Sequence, residues 1–339
     1  MRFDIAMILQ KTTKGNLIKE VEKSDFAGAF KPLSKSAHKG SRGRLVIIGG
    51  GKNSVGAPYL ALRAADALSE ASDALTLAAA GEAAMRAGAG TTVLAVPNFL
   101  LPALYPRVTY STLFPLSQHD DYIAFNEADI EKLVKGADAA AIGPGAGGGE
   151  TNEIIDYILE NTLLNLVIDA DALNNLAPLN ADLLGRAVLT PHPAEFSRLI
   201  NKSVLDIMEN PVTSIFELAG NSNSVVLLKG VSSLISEDEG LERIEGLFDR
   251  VKGTPTLISD GCDVYMVTAG TPKLAKGGSG DVLSGIIGGL AASGFDLLNA
   301  ALLSAWLLGT AAELADTNEI SHMPLDTVAA IPLAIQSLF

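Results

Sequence analysis

The chain has 339 residues, 48% hydrophobic and 19% charged, with 25 Lys and Arg against 39 Asp and Glu. So apolar a balance excludes a disordered chain, and a net charge of −14 argues against a non-specific nucleic-acid binder or a protein held on an anionic membrane surface. A single cysteine, Cys262, excludes an intrachain disulfide and a cysteine-based metal cluster.

Residues 1–37 carry mixed charge with weak periodicity and are expected to be an N-terminal arm or a leading helix. Their apolar run, Ile5 to Leu9, is too short for a secretory core. LVIIGG (45–50) predicts a buried strand that ends in a glycine turn. Over 56–72, Ala57, Leu60, Ala64, Leu68 and Ala71 share one helical face. ALTLAAA (74–80) and TTVLAV (91–96) are expected as further strands, and AAAIGPG (139–145) as a strand with a Gly/Pro turn. TNEIIDYILEN (151–161) predicts a helix capped by Thr151 or Asn152. NLVIDADAL (165–173), AVLTPHP (187–193) and SVVLLKG (224–230) have the form of strands followed by loops. The chain closes in helices over 281–294 and 296–316 and from Leu325. Gly, Ser, Asp296 and Asn299 interrupt the apolar stretch Ile286–Leu308, so no membrane span is expected and the expected location is cytoplasmic. This β–α alternation predicts an α/β fold, a mostly parallel central sheet with helices on both faces. No linker divides residues 38–339, which are expected to form a single domain.

The segment with the most chemistry is GTPKLAKGGSGDVLSGIIGGLAASG (270–294). Gly277, Gly278 and Gly280 precede an apolar helix, so backbone N–H groups and a helix N-terminus can meet an anion such as a phosphate. Asp281, at the same point, has two readings. It caps the helix, or it accepts a proton from a hydroxyl aimed at a phosphoryl group, as phosphoryl transfer requires. The glycine spacing matches neither a Rossmann fingerprint nor a Walker A loop. Asp169 and Asp171 follow a predicted strand, where carboxylates in α/β sheets face the ligand crevice. They either orient magnesium-bound water or, for Asp171, cap the next helix; Glu195 is equally ambiguous. Pro191 and Pro193 present His192 at a strand end, and with four histidines in the chain and no ligand cluster nearby it does not read as a metal ligand. KGVSSLIS (229–236) is echoed by KGTPTLIS (252–259), either by chance or as a short duplication.

GGSGDVLSGIIGGL resembles the signature of the ribokinase-like superfamily. More narrowly, HKGSRGRLVIIGGGKNSVGAP, AIGPGAG, VIDADALN, LTPHPAEFSRL, VVLLKG and GTPKLAKGGSGD, in this order over residues 38–316, resemble the ADP/ATP-dependent NAD(P)H-hydrate dehydratases. The resemblance implies a ribokinase-like fold and a repair reaction on NADHX and NADPHX, the hydrated forms of NADH and NADPH. The ring hydroxyl is phosphorylated by ADP or ATP with Mg2+, phosphate leaves, and the double bond returns. It implies Asp281 as the general base and Gly277, Gly278, Ser279 and Gly280 as the cradle of the phosphoryl group. It implies substrate contacts at Ala57, Gly145, His192 and Asp281, and nucleotide contacts at Lys229, Gly230, Val231, Ser232 and Ser233. Lys252 competes with Lys229 for the nucleotide, and Lys229 is preferred because a better strand precedes it. Lys276 is expected to meet a phosphate oxygen or, by a small preference, solvent.

Many family members carry a fused epimerase domain, for which the residues before His38 are too few, so the expectation is a dehydratase alone. A homo-oligomer is expected, and no nucleic-acid or membrane partner. The competing readings are a ribokinase-like kinase acting on a vitamin-precursor alcohol and a non-catalytic nucleotide sensor.

Overall fold

Apolar, β-branched runs set the strands: Leu45 to Ile48 are wholly buried, as strands of a sheet covered on both faces are. The computed structural model describes residues 18–30, 34–51, 72–106, 108–230 and 255–339. Its principal strands are β1 (Ile18–Val21), β2 (Arg44–Ile48), β3 (Thr91–Pro97), β4 (Thr112–Leu116), β5 (Ala139–Ile142), β6 (Asn165–Ile168), β7 (Ala187–Leu189), β8 (Val225–Leu228), β9 (Thr256–Ser259) and β10 (Val264–Val267). Its principal helices are α1 (Ser72–Ala87), α2 (Glu127–Val134), α3 (Thr151–Asn161), α4 (Ala170–Leu176), α5 (Pro193–Ile200), α6 (Val204–Glu209), α7 (Pro211–Ser222), α8 (Ser279–Ala292), α9 (Leu297–Leu314) and α10 (Pro324–Ser337). Two compact units emerge, one of Ser36–Leu176 with Gly278–Gly294, the other of Met1–Lys35, Ala177–Gly277 and Phe295–Phe339.

In the first unit the strands run β6-β5-β2-β3-β4, and every pairing is parallel. Ile48 is level with Ile142, and Ile142 with Ile168, so the carboxyl ends of β2, β5 and β6 lie side by side. Helices α1 and α8 pack backbone against backbone. A Cβ on Gly285 would lie 2.2 Å from Ala80 O, and one on Gly289 2.5 Å from Ala84 O. Those glycines therefore serve helix packing.

This contact corrects one expectation: residues 74–80 are part of α1 and form no strand. An apolar run by itself does not separate strand from buried helix, and alanine is the strongest helix former. Ala80, Ala83, Ala84 and Ala87 are buried, and only side chains this small let α8 come so near. The helix expected over 56–72 lies outside the described residues except for Ser72. A second correction concerns α3, whose N-cap is Glu150, with no capping side-chain bond. Thr151 already belongs to the helix and is buried, and the Asn152 Nδ2 donates to Asn175 O.

The second unit orders its strands β1-β10-β9-β8-β7. β1–β10 and β7–β8 are parallel, whereas β8–β9 and β9–β10 are antiparallel. The leading segment, expected as an arm or a helix, thus contributes a strand in register with β10. Among the described residues α9 alone has the length and apolarity to cross a membrane, but 72% of it is buried in protein. Its Trp306 packs on Phe26, ring centroids 5.7 Å apart, as in a core helix.

Candidate active site

In the first unit, three loops leave adjacent strand ends, where ligands bind in open α/β sheets. After β2, Gly49 to Gly51 press on the turn after β5: a Cβ on Gly49 would lie 2.2 Å from Pro144 O, and Gly50 N–H donates to that oxygen at 2.9 Å. The turn after β5 uses left-handed backbone at Gly145 (φ +64°) and Gly147 (φ +56°). Its shape is fixed from α4. Asp171 Oδ2 accepts Gly147 N–H at 2.8 Å, and Asn175 Nδ2 lies 3.2, 3.0 and 2.8 Å from Gly147 O, Gly149 O and Thr151 Oγ1. The Asp171 carboxylate therefore holds the Gly145 loop, a role neither of its sequence readings contained. Sequence reasoning also missed Asn175, since nothing local links it to residues 24 to 28 positions away.

Asp169 directly follows β6 and is only 2% exposed. Its Oδ2 accepts the Ser284 hydroxyl at 2.6 Å. Ala170 then turns the chain into α4 with a left-handed backbone, φ +49°.

Helix α8 starts at Gly278, whose φ of +94° favours glycine, and no side chain caps it. Asp281 is its third residue, so it is not the N-cap residue and the capping reading does not apply in that form. The first N–H groups of a helix have no intrahelical partner, and the helix dipole adds to their pull on an anion. Ser279 and Gly280 stand in this first turn. Gly277, just before it, is exposed, with open space around the position of a Cβ.

In the second unit, His192 is the N-cap of α5. Its Nδ1 accepts the backbone N–H groups of Ala194 at 3.1 Å and Glu195 at 3.3 Å, while the backbone N–H of His192 donates to Glu195 Oε2 at 2.8 Å. Pro193 occupies the first helical position, where its missing N–H costs nothing. An accepting Nδ1 places the ring hydrogen on Nε2, which faces Glu195 Oε1 at 3.3 Å. The imidazole is 49% exposed. Glu195, ambiguous in sequence, completes this capping box. Lys229 lies at the neighbouring strand end, and its N–H donates to Pro191 O at 2.9 Å. Gly230 follows with φ +64°. Lys276 Nζ donates to Ile320 O at 2.9 Å, a partner the sequence did not point to. Ala57, Val231, Ser232, Ser233 and Lys252 lie outside the described residues.

His322 is buried, with Nδ1 2.7 Å from Thr317 Oγ1 and Nε2 2.7 Å from Thr327 Oγ1. Burial holds its pKa below the usual imidazole range, and Lys273 and Lys276 push the same way against Asp326. Among the described residues no three or more His, Cys, Asp or Glu converge as a metal cage.

The profile of the NAD(P)H-hydrate dehydratase family matches residues 45–244 and 250–332. The chain is 30% identical over 315 residues to the bifunctional NAD(P)H-hydrate repair enzyme of Dictyoglomus turgidum, covering 90% of this chain and 53% of that one. It is 29% identical over 299 residues to the ADP-dependent (S)-NAD(P)H-hydrate dehydratase of Neisseria meningitidis, covering 85% and 82%. It spans about half the length of the bifunctional relatives it matches. Among solved structures, a ribokinase-like superfamily protein from Enterococcus faecalis superposes with a TM-score of 0.70 at 20% identity, covering 97% of this chain and 99% of the other. The ADP/ATP-dependent NAD(P)H-hydrate dehydratase of Bacillus subtilis, co-crystallised with ATP and Mg2+, gives 0.69 at 21%, covering 94% and 98%. The fold is therefore the ribokinase-like α/β fold, and the chain belongs to the NAD(P)H-hydrate dehydratase family.

Proposed function

We propose that this chain dehydrates NADHX and NADPHX to NADH and NADPH, with ADP or ATP as phosphoryl donor. The observation that carries this reading is the start of α8: an uncapped helix N-terminus for an anion, with a carboxylate in its first turn. Asp281 takes the proton of the ring hydroxyl as its oxygen attacks the terminal phosphorus. A phosphoanhydride bond breaks and AMP or ADP leaves. Gly277, Gly278, Ser279 and Gly280 hold the transferred phosphoryl group. The C–O bond then breaks with both electrons going to phosphate, a ring proton is lost, and the double bond returns. Magnesium, when bound with the nucleotide, offsets phosphate charge.

Gly145 and His192 are proposed as substrate contacts, together with Ala57. The loop clamped by Asp171 and Asn175 supports the first, and the half-exposed His192 imidazole the second. Lys229 and Gly230, followed by Val231, Ser232 and Ser233, are the proposed nucleotide segment. Organisation of 38–339 as a single domain belongs to the same proposal, since the segments of the two units interleave along the sequence.

The test is recovery of reduced-nicotinamide absorbance from purified hydrated NADH and Mg2+ with ADP, with ATP and with no nucleotide. Recovery with one nucleotide supports the reading and names the donor. No recovery by folded, nucleotide-binding protein overturns it in favour of a kinase for another alcohol.

A further inference from the structure

Asp169 is a buried carboxylate to which the proposed reaction gives no step. Its partner Ser284 is 1% exposed and lies on α8, three residues beyond Asp281. Residues at that spacing share a helix face, one turn apart. A serine inside a helix commonly turns its hydroxyl back to the carbonyl four residues earlier. Here Ser284 Oγ donates to Asp169 Oδ2, at 2.6 Å, the length of a charge-assisted bond.

We propose that Asp169, acting through Ser284, is a positioning residue that sets where Asp281 stands; this rests on reading Asp281 as the general base. Three observations support it. The start of α8 has no side-chain cap and a left-handed residue at Gly278, so capping does not fix the first turn. Asp169 itself is held firmly: a Cβ on Gly143 would lie 1.9 Å from Asp169 O, and Ala170 adopts φ +49° right after it. The two side chains are also buried, and a buried carboxylate is a poor choice for packing alone, because an apolar pair of similar size serves stability as well or better. A rigid strand end thus reaches across to the helix face that carries the base, and base placement is where small displacements are costly.

The test is steady-state kinetics with hydrated NADH, Mg2+ and the active nucleotide, on Ser284→Ala, Asp169→Asn, the double variant, Ser284→Thr and Asp281→Asn. Positioning predicts that Ser284→Ala and Asp169→Asn each lower kcat about 10- to 100-fold, with both KM values within about twofold. The double variant should be no slower than the slower single one, and Ser284→Thr, which keeps the hydroxyl, should restore most of kcat. Wild-type kcat in Ser284→Ala, beside an inactive Asp281→Asn, overturns the positioning role and leaves the base reading intact. Normal turnover by Asp281→Asn removes the base reading itself. A rise in KM with kcat preserved shows a merely structural link, and recovery of Asp169→Asn at higher magnesium moves the carboxylate to the metal; either outcome overturns the proposal. If Asp169→Asn does not fold, Ser284→Ala decides alone, since alanine is favourable in a helix.

Discussion

Helix α5 begins on His192, whose ring nitrogen takes two of the orphan N–H groups while Glu195 reaches back to the cap residue. Helix α8 begins on Gly278, with no capping side chain. Both starts follow a proline- or glycine-rich turn and both have an acidic residue at the third helical position, Glu195 in one and Asp281 in the other. In sequence they look alike. In α5 the acid closes a capping box; in α8 no side chain caps the start, and the proposed function gives its first N–H groups to an anion and its acid to a proton. A helix start that binds a ligand must do without the cap that would stabilise it.

Asp281→Asn breaks the comparison hardest. It removes the proposed base and keeps the shape, so kcat should fall about 10²- to 10⁴-fold while nucleotide binding persists, measured by turnover and by calorimetric titration with ADP or ATP. Gly277→Ala comes next. Space is open around that position and its backbone is not left-handed, so the folded state gives no reason for glycine there. The melting temperature should hold, while nucleotide affinity falls about tenfold if the phosphate approaches this backbone; unchanged affinity would take Gly277 out of the cradle.

At the capped start, His192→Ala should cost about 0.5–2 kcal/mol in denaturant unfolding. His192→Asn keeps a good cap and recovers that loss. A raised KM for hydrated NADH in His192→Asn, with stability intact, separates the proposed substrate contact from the cap. The smallest effect lies ahead of α10, at His322. Unfolded, it titrates near 6.5; folded, burial holds it lower, so the folded state binds fewer protons. Its contribution to stability is full above 6.5 and is lost as pH falls below that through the folded pKa. Wild-type stability should decline in that window, and His322→Gln should flatten this part of the decline.

Much of this was legible from local pattern. LVII (45–48), TTVLAV (91–96) and AAAI (139–142) are short apolar runs, and all lie in strands. The α8 start announced itself through its glycines and Asp281. Residues 74–80 differ from the expected strand because an apolar run alone does not show the pairing that matters: Ala80 and Ala84 meet Gly285 and Gly289 on a distant helix, among further buried alanines at 79, 83 and 87. Lys276, Asp171, Asn175 and Ser284 escaped for a common reason. Each is defined by a partner 24 or more residues away, and a side chain's preference does not name its partner. Ser284 had one usable signal, its spacing of one helical turn from Asp281.

The most direct measurement counts phosphoryl groups. Hydrated NADH is mixed with the protein, Mg2+ and the active nucleotide, and the NADH recovered is compared with the nucleotide cleaved and the phosphate released. If the α8 start transfers a phosphoryl group to the ring hydroxyl, the three quantities rise together in equal amounts, and all three stop in Asp281→Asn. NADH recovered without nucleotide cleavage, or cleavage that leaves a stable phosphate ester in place of free phosphate, would contradict it.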